Sequence, residues 1–315
     1  MGKGRNASIT AVVCLPDVPE QRYMGELPAN LEVVRLPRPP GRLPDLSQVE
    51  LLVPGDWARQ VVLGQLGTMT RLRVIQTVST GVEWLRGRVP PGVVVCNARG
   101  VCNGPMAEWV VGAILAMQRG LIASHDAQLA ADWRPFEPDE LAGQRAVILG
   151  FGSIGVSVAE RLRPFGVDIV GVARVPREGV MGLEDLDEAL PGADILIDLL
   201  PLSAETARLL DARRLGLLRP GALLVNAGRG ATVDTPALVD AVRSGRLRAA
   251  LDVTDPEPLP PNHPLWRLPG VLITPHVAGN SRTSLPRAYA LAGDQIRRFA
   301  AGERLENQVL PHLLA

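Results

Sequence analysis

Residues 150–155 read GFGSIG, and their surroundings decide the fold. Ala146 to Leu149 form an apolar run directly before Gly150, and Ile154, Val158 and Leu162 recur on one face of a helix directly after it. That order of strand, tight turn and helix is what a Gly-x-Gly-x-x-Gly fingerprint requires, whereas a glycine triplet alone is weak evidence. Gly150 permits the turn, Gly152 admits close approach of a ligand to the backbone, and Gly155 lets helix and strand pack closely. The helix N-terminus then faces a pyrophosphate, with Ser153 and Ile154 beside it.

Working outward, apolar β-rich runs alternate with helical segments on both sides. Five lie in the first hundred residues, near ITAVVC, LEVVRL, ELLVP, RVIQTVS and VVVCN, separated by stretches long enough for crossover helices. From Asn103, with Pro105 placed for a first turn, AEWVVGAILAM predicts a helix apolar around most of its circumference, buried between domains. After the fingerprint strand come DIVGV, DILIDLL, ALLVN, AALDV and VLITP, so six strands are expected in a doubly wound sheet. Residues 281–301 predict a last helix. The fingerprint follows a complete α/β domain, so that first domain has another task.

The chain has 315 residues, 46% of them hydrophobic, enough for two domains with substantial cores. Thirty-three basic residues balance thirty-three acidic ones, which gives no field toward nucleic acid or an anionic membrane; a small-molecule partner is expected. Cys14, Cys96 and Cys102 are odd in number and form no CxxC pair, which points to a reducing cytoplasm and away from structural zinc or any other metal site. The apolar start is broken by Pro16 and reads as a strand, not a signal peptide, and the Asn6-Ala7-Ser8 sequon carries no weight without secretion. Lys3 is the sole lysine, which removes P-loop, Schiff-base and Tyr-x-x-x-Lys chemistry. Arginine keeps its proton, so general acids and bases reduce to histidine and carboxylates.

At the end of the second fingerprint strand, where a carboxylate would accept from the adenosine ribose, the chain reads GVARVPR (171–177). Ala173 removes that carboxylate, and Arg174 and Arg177 offer guanidinium forks to a ribose phosphate. NADP(H) is therefore the expected cofactor, with NAD(H) possible. Three later segments each follow a strand: NAGRGATVD (226–234), LDVTDPEP (251–258) and TPH (274–276). Strand carboxyl ends are where such sheets bind ligands, and these bring one arginine, several carboxylates and one histidine to a single edge.

These motifs, in this order, resemble the D-isomer-specific 2-hydroxyacid dehydrogenase family over nearly the whole chain. NAGRGATVD is similar to its Asn-x-x-Arg-Gly signature, DVTDPEP to its Glu signature and PHVAG to its His signature. DVTDPEPLP and NHPLW resemble the glyoxylate and hydroxypyruvate reductases among them. The resemblance implies two parallel-sheet α/β domains: a flavodoxin-like substrate domain (1–99 with 285–315) and an inserted Rossmann-type dinucleotide-binding domain (100–284), with a cleft between them and a homodimer paired through the cofactor domains. It implies that Arg229 holds the substrate carboxylate, that His276 is the general acid and base, and that Glu257 orients it. Asn226, Ala227, Asp252 and Gly279 fall on the cofactor side, Asp252 toward the nicotinamide. VSTGVEW (78–84) matches a loop that meets the substrate carboxylate, which makes Ser79, Thr80 and Gly81 candidates, and LLPLSAET (199–206) matches one lying along the cofactor, with Leu200 and Pro201 as neighbours.

Rival assignments are open on the residues themselves. His263 sits in a proline-rich loop and reads as structural, as do His125 in a helix and His312 near the end; Asp255 is the nearest competitor of Glu257. A dinucleotide-sensing corepressor shares this fold and triad, but no extended tail resembles one. Formate oxidation is disfavoured because such relatives put glutamine at the position of Glu257; phosphite oxidation is compatible with the triad.

Overall fold

The computed structural model describes residues 11–38, 40–311 and 314, so the readings of the 6–8 sequon and of His312 lie outside the described residues. Two units emerge, one running to Cys102 and resuming at Ser281, the other spanning Asn103–Asn280. The junctions expected at 99/100 and 284/285 thus fall at 102/103 and 280/281. The first coincides with the start of a helix at Asn103.

In the first unit, β1 (Ala11–Pro16), β2 (Leu31–Leu36), β3 (Leu51–Leu52), β4 (Val74–Gln76) and β5 (Val94–Cys96) form one sheet in the order β2-β1-β3-β4-β5, every pair parallel. In the second, β6 (Arg145–Leu149), β7 (Asp168–Ala173), β8 (Val180–Gly182), β9 (Ile195–Asp198), β10 (Ala222–Asn226), β11 (Leu247–Leu251) and β12 (Val271–Ile273) form a parallel sheet ordered β12-β11-β10-β9-β6-β7-β8. Both orders are doubly wound. The α-helices among the described residues are α1 (Arg59–Gln65), α2 (Asn103–Gln118), α3 (Leu121–Leu129), α4 (Ser153–Leu162), α5 (Leu186–Ala189), α6 (Ala212–Leu217), α7 (Thr235–Arg243) and α8 (Ser284–Ala301).

The second sheet has seven strands where the sequence predicts six. The added one, β8, is three residues long and contains no apolar alternation; a tight turn closed by reciprocal Arg177–Val180 backbone hydrogen bonds delivers it to the edge. Among the described residues, most predicted crossover helices of the first unit are also missing. Pro37, Pro39, Pro40 and Pro44 occupy the β2–β3 connection, and proline both lacks the amide proton and clashes within a helix. Instead α8 returns to cover the sheet, packing Ala288, Tyr289, Ala292 and Ile296 with Val13, Leu15, Leu51 and Val53. Buried Gln295 ties that helix down, donating to Gln76 Oε1 at 3.0 Å and to the Glu306 carbonyl at 2.8 Å.

Strands that read as unbroken apolar runs are those buried on both faces. In β6, Val147 and Leu149 pack with α5 to α7 residues such as Leu186, Leu215 and Leu238, while Ala146 and Ile148 pack with Val110 and Ile114 of α2 and Val158 of α4. Strand β9 repeats the pattern, with Leu196 on the first face and Ile195 and Ile197 on the second. Among the described residues, no single helix is long and apolar enough to cross a membrane.

Candidate active site

All strands of the second unit being parallel, the loops after β6, β7, β9, β10, β11 and β12 leave one edge of the sheet. At the switch point between β6 and β9, Gly150 adopts φ +82°, and a Cβ there would lie 2.9 Å from the Leu199 carbonyl oxygen. Nothing crowds Gly152, whose imagined Cβ meets no atom closer than 4.0 Å, and α4 begins at the next residue, leaving its N-terminal amides free of intrahelical partners. Ser153 Oγ donates to Asn103 Oδ1 at 3.2 Å. A dinucleotide pyrophosphate fits this cradle, because the space side chains would fill is reserved and helix dipole and amides both favour an anion.

GFGSIG and GVARVPR are one packed unit. The Phe151 ring lies against Gly171, where a Cβ would come within 2.6 Å of it. Arg177 Nη2 donates to the Phe151 carbonyl at 2.5 Å, with its guanidinium 5.8 Å from the ring centroid. Arg174 is exposed one residue beyond β7.

After β10 the chain makes the turn that carries Arg229. Asn226 is buried and spends both ends of its amide on this turn: Oδ1 accepts from Gly228 N at 3.0 Å and Nδ2 donates to the Arg229 carbonyl at 3.1 Å. Gly230 is required because a Cβ would collide with the Thr254 carbonyl. The Arg229 guanidinium is half-buried and donates to the Gly228 carbonyl at 2.6 Å. Ala227 is buried, its amide donating to the Asp198 carbonyl at 3.0 Å.

His276 has φ +54°, a left-handed conformation unusual for a side-chain-bearing residue. Asp252, directly after β11, holds it there. The Asp252 carbonyl accepts from His276 N at 2.8 Å; Oδ1 accepts from Thr274 Oγ1 at 2.5 Å and Val277 N at 2.8 Å, and Oδ2 from Ala278 N at 2.9 Å. Gly279 completes the turn closed by Asn280 N to the Val277 carbonyl. His276 Nδ1 lies 2.6 Å from Glu257 Oε1, and both side chains are about half exposed. The Glu257 loop is anchored by Thr235 Oγ1 to the Asp255 carbonyl and Thr254 Oγ1 to that of Pro256. A ring with one nitrogen fixed by a carboxylate presents the other for proton transfer.

His263 caps a short 3-10 turn, Nδ1 accepting from Leu265 N, and is structural. The Leu200 side chain is buried in the core, and the Pro201 carbonyl accepts from Thr206 Oγ1 at 2.7 Å. In the other unit the loop after β4 is held by its carbonyls: Ser79 accepts from Thr77 Oγ1, Thr80 from Asn97 Nδ2, and Gly81 from Ser79 Oγ. Sequence reasoning missed Asp198 and Thr232, which brace the Arg229 turn; a lone carboxylate inside ILIDLL was the available signal.

Comparison with known proteins agrees with this geometry. Residues 111–278 match the family described as D-isomer specific 2-hydroxyacid dehydrogenase, NAD binding domain. A glyoxylate reductase of Thermofilum pendens is 35% identical over 249 residues, covering 74% of this chain and 73% of the relative. Among solved structures, a D-isomer specific 2-hydroxyacid dehydrogenase from Xanthobacter autotrophicus in complex with NADPH and MES superposes with a TM-score of 0.81 at 31% identity, covering 97% of this chain and 99% of the other. An NADPH-dependent glyoxylate/hydroxypyruvate reductase from Sinorhizobium meliloti, in complex with NADP and sulfate, gives 0.81 at 28% identity, covering 95% and 98%. The chain belongs to the D-isomer-specific 2-hydroxyacid dehydrogenase family. It is an oxidoreductase built to use a nicotinamide cofactor.

Asp252→Ala leaves three donors, Thr274 Oγ1, Val277 N and Ala278 N, without their acceptor. Stability is expected to fall by about 3 kcal/mol in urea denaturation; an unchanged midpoint refutes the anchoring role.

Proposed function

We propose that this enzyme is an NADP(H)-preferring reductase of small 2-oxo acids of the glyoxylate and hydroxypyruvate type, forming D-2-hydroxy acids. The observation that carries the reading is the His276–Glu257 pair, 2.6 Å apart, on the sheet edge that also bears Arg229 and the fingerprint. Arg229 binds the substrate carboxylate through its planar fork and polarises the 2-oxo group. His276 gives the proton at its free ring nitrogen to the carbonyl oxygen, and takes one back in the reverse direction; Glu257 fixes the ring and balances its charge. Bound nicotinamide supplies the hydride. Asp252, beyond shaping the His276 turn, borders the nicotinamide end, and Gly150 to Gly155, Leu200, Pro201, Asn226, Ala227 and Gly279 line the dinucleotide. The reaction takes place in the cytoplasm, where Cys14 and Cys96, whose thiols burial pushes up to about 12 and about 11, stay reduced.

A steady-state screen of glyoxylate, hydroxypyruvate and pyruvate with NADH and NADPH tests this directly. Turnover is expected with NADPH and glyoxylate or hydroxypyruvate, and His276→Ala should lower kcat about 10²- to 10⁴-fold. Tight NADPH binding without turnover of any oxo acid would favour a dinucleotide sensor, and phosphite-dependent reduction of NADP a different chemistry.

The two arginines of the cofactor loop separate on the geometry. Arg174→Ala should weaken NADPH about 10- to 100-fold while leaving NADH nearly unchanged, since a charge-assisted contact to the ribose phosphate is lost. Arg177→Ala also frees the fingerprint's Phe151 carbonyl and should weaken both. Equal losses for both cofactors in Arg174→Ala, read by fluorescence titration, defeat the NADP(H) preference.

The protein works as a homodimer in this reading, and the supporting surface is the segment from Leu121 to Phe136. Trp133 is 96% and Leu129 75% exposed, and Leu121 and Phe136 of the same segment are also exposed, apolar surface that a second copy would cover. Sedimentation should show a dimer, and Trp133→Glu a monomer; a monomeric parent or a dimeric variant rejects that surface.

A further inference from the structure

Asp198 ends β9 as a fully buried carboxylate in a strand otherwise built of Ile195, Leu196 and Ile197. Such a group must be compensated. Oδ1 accepts from Leu200 N at 2.9 Å, while Oδ2 lies 2.5 Å from Thr232 Oγ1, which is itself 2.6 Å from the Arg229 carbonyl oxygen. Three oxygens in a row with two such contacts need two protons, one in each gap. Thr232 carries one, and a main-chain carbonyl carries none. A second proton, on Asp198, would give both contacts a donor. Burial also pushes this carboxyl up from 3.8 to about 6.

We propose that Asp198 is a positioning residue for Arg229 and acts as a neutral acid: its proton goes to Thr232 Oγ1, and the Thr232 hydroxyl donates to the Arg229 carbonyl. The inference rests on Arg229 being the residue that binds the substrate carboxylate. With Asn226 Nδ2 on the same oxygen, the backbone that projects the guanidinium is fixed from two sides. Once Asp198 ionises, the carboxylate claims the only proton of Thr232. The Arg229 carbonyl then faces a lone pair at 2.6 Å, and the turn relaxes.

Other ionisable groups on the surrounding segments are Arg229, Glu205, Arg208, Asp234 and Asp252. Arg208 pairs with Asp234 at 3.4 Å, Asp252 is occupied by the His276 turn, Arg229 donates to Gly228, and Glu205 is exposed. The sign follows from a folded value above the unfolded one. The neutral acid's contribution to stability is complete below 3.8 and is lost as pH rises through about 6.

The test compares wild type, Asp198→Asn and Thr232→Val across that pH range. Asparagine keeps an acceptor for Leu200 N and a donor for Thr232, and it cannot ionise. In the wild type, KM for glyoxylate should rise about tenfold as pH passes upward through the Asp198 transition, with the change in KM and not kcat. Asp198→Asn should hold KM at the wild type's acid-side value throughout, and Thr232→Val should raise it at every pH. An infrared band of a protonated carboxylic acid should be present in the wild type on the acid side and absent in Asp198→Asn. Should either variant fail to fold, Thr232→Ser keeps the hydroxyl and must follow the wild-type profile. A missing infrared band, an Asp198→Asn profile that tracks the wild type, or a Thr232→Val KM equal to the wild type's overturns the proposal. Absence of all oxo-acid turnover would strike the proposed function instead, and the infrared comparison, which needs no substrate, would still locate the proton.

Discussion

Parallel pairing of seven strands, the central ones buried on both faces, gathers polar side chains at the edge where the strands' carboxyl ends stop. Within the strands a polar group would face a hydrocarbon layer with no partner. Beyond the last rung the backbone amides lose their ladder acceptors, and side chains must replace them. Adjacent strands solve this in the same way. Asp198 and Asn226 sit opposite each other in register, and each accepts through its side chain from the amide two residues on, Leu200 and Gly228 respectively. The turns so fixed are the one after β9 and the one that carries Arg229.

Asp252 extends the device to the neighbouring strand. Its carboxylate takes donors from the turn after β12, not from its own, so it links two loops and fixes the one bearing His276. A left-handed histidine costs on the order of 1–3 kcal/mol, and such strain persists only where surroundings over-determine it. Four hydrogen bonds from residues 274–278 to a single aspartate supply that determination. The geometry of His276 is thereby set by a residue whose polar atoms are largely committed to scaffolding.

Much of this was legible in the sequence because it depends on local pattern. The fingerprint, the apolar runs and the three motifs after β10, β11 and β12 are contiguous, and their placement follows once the strands are parallel. What was not legible depends on partners far apart in the chain. Strand β8 owes its existence to an edge built by β7 and to a turn closed at Arg177, with no periodicity of its own. Asp198 and Thr232 are 34 residues apart, and each is ordinary in its own segment; only the register of β9 against β10 makes them neighbours. Asn226 stands out in its NAGRG segment, but the commitment of both its amide ends to the Arg229 turn was not legible.

The cofactor loop illustrates how function and packing share residues. Read as sequence, Arg174 and Arg177 are two equivalent cations beside a vacant carboxylate position. In the fold they differ, because the ring of Phe151, held between the flanking fingerprint glycines, lies on Gly171 and leaves its carbonyl directed at Arg177. A guanidinium has five donors, so Arg177 can keep this bond and still offer a face to an anion, whereas a lysine there would have only a point charge to divide. That difference gives a physical reason for arginine, and not lysine, at the position that supports the glycine turn.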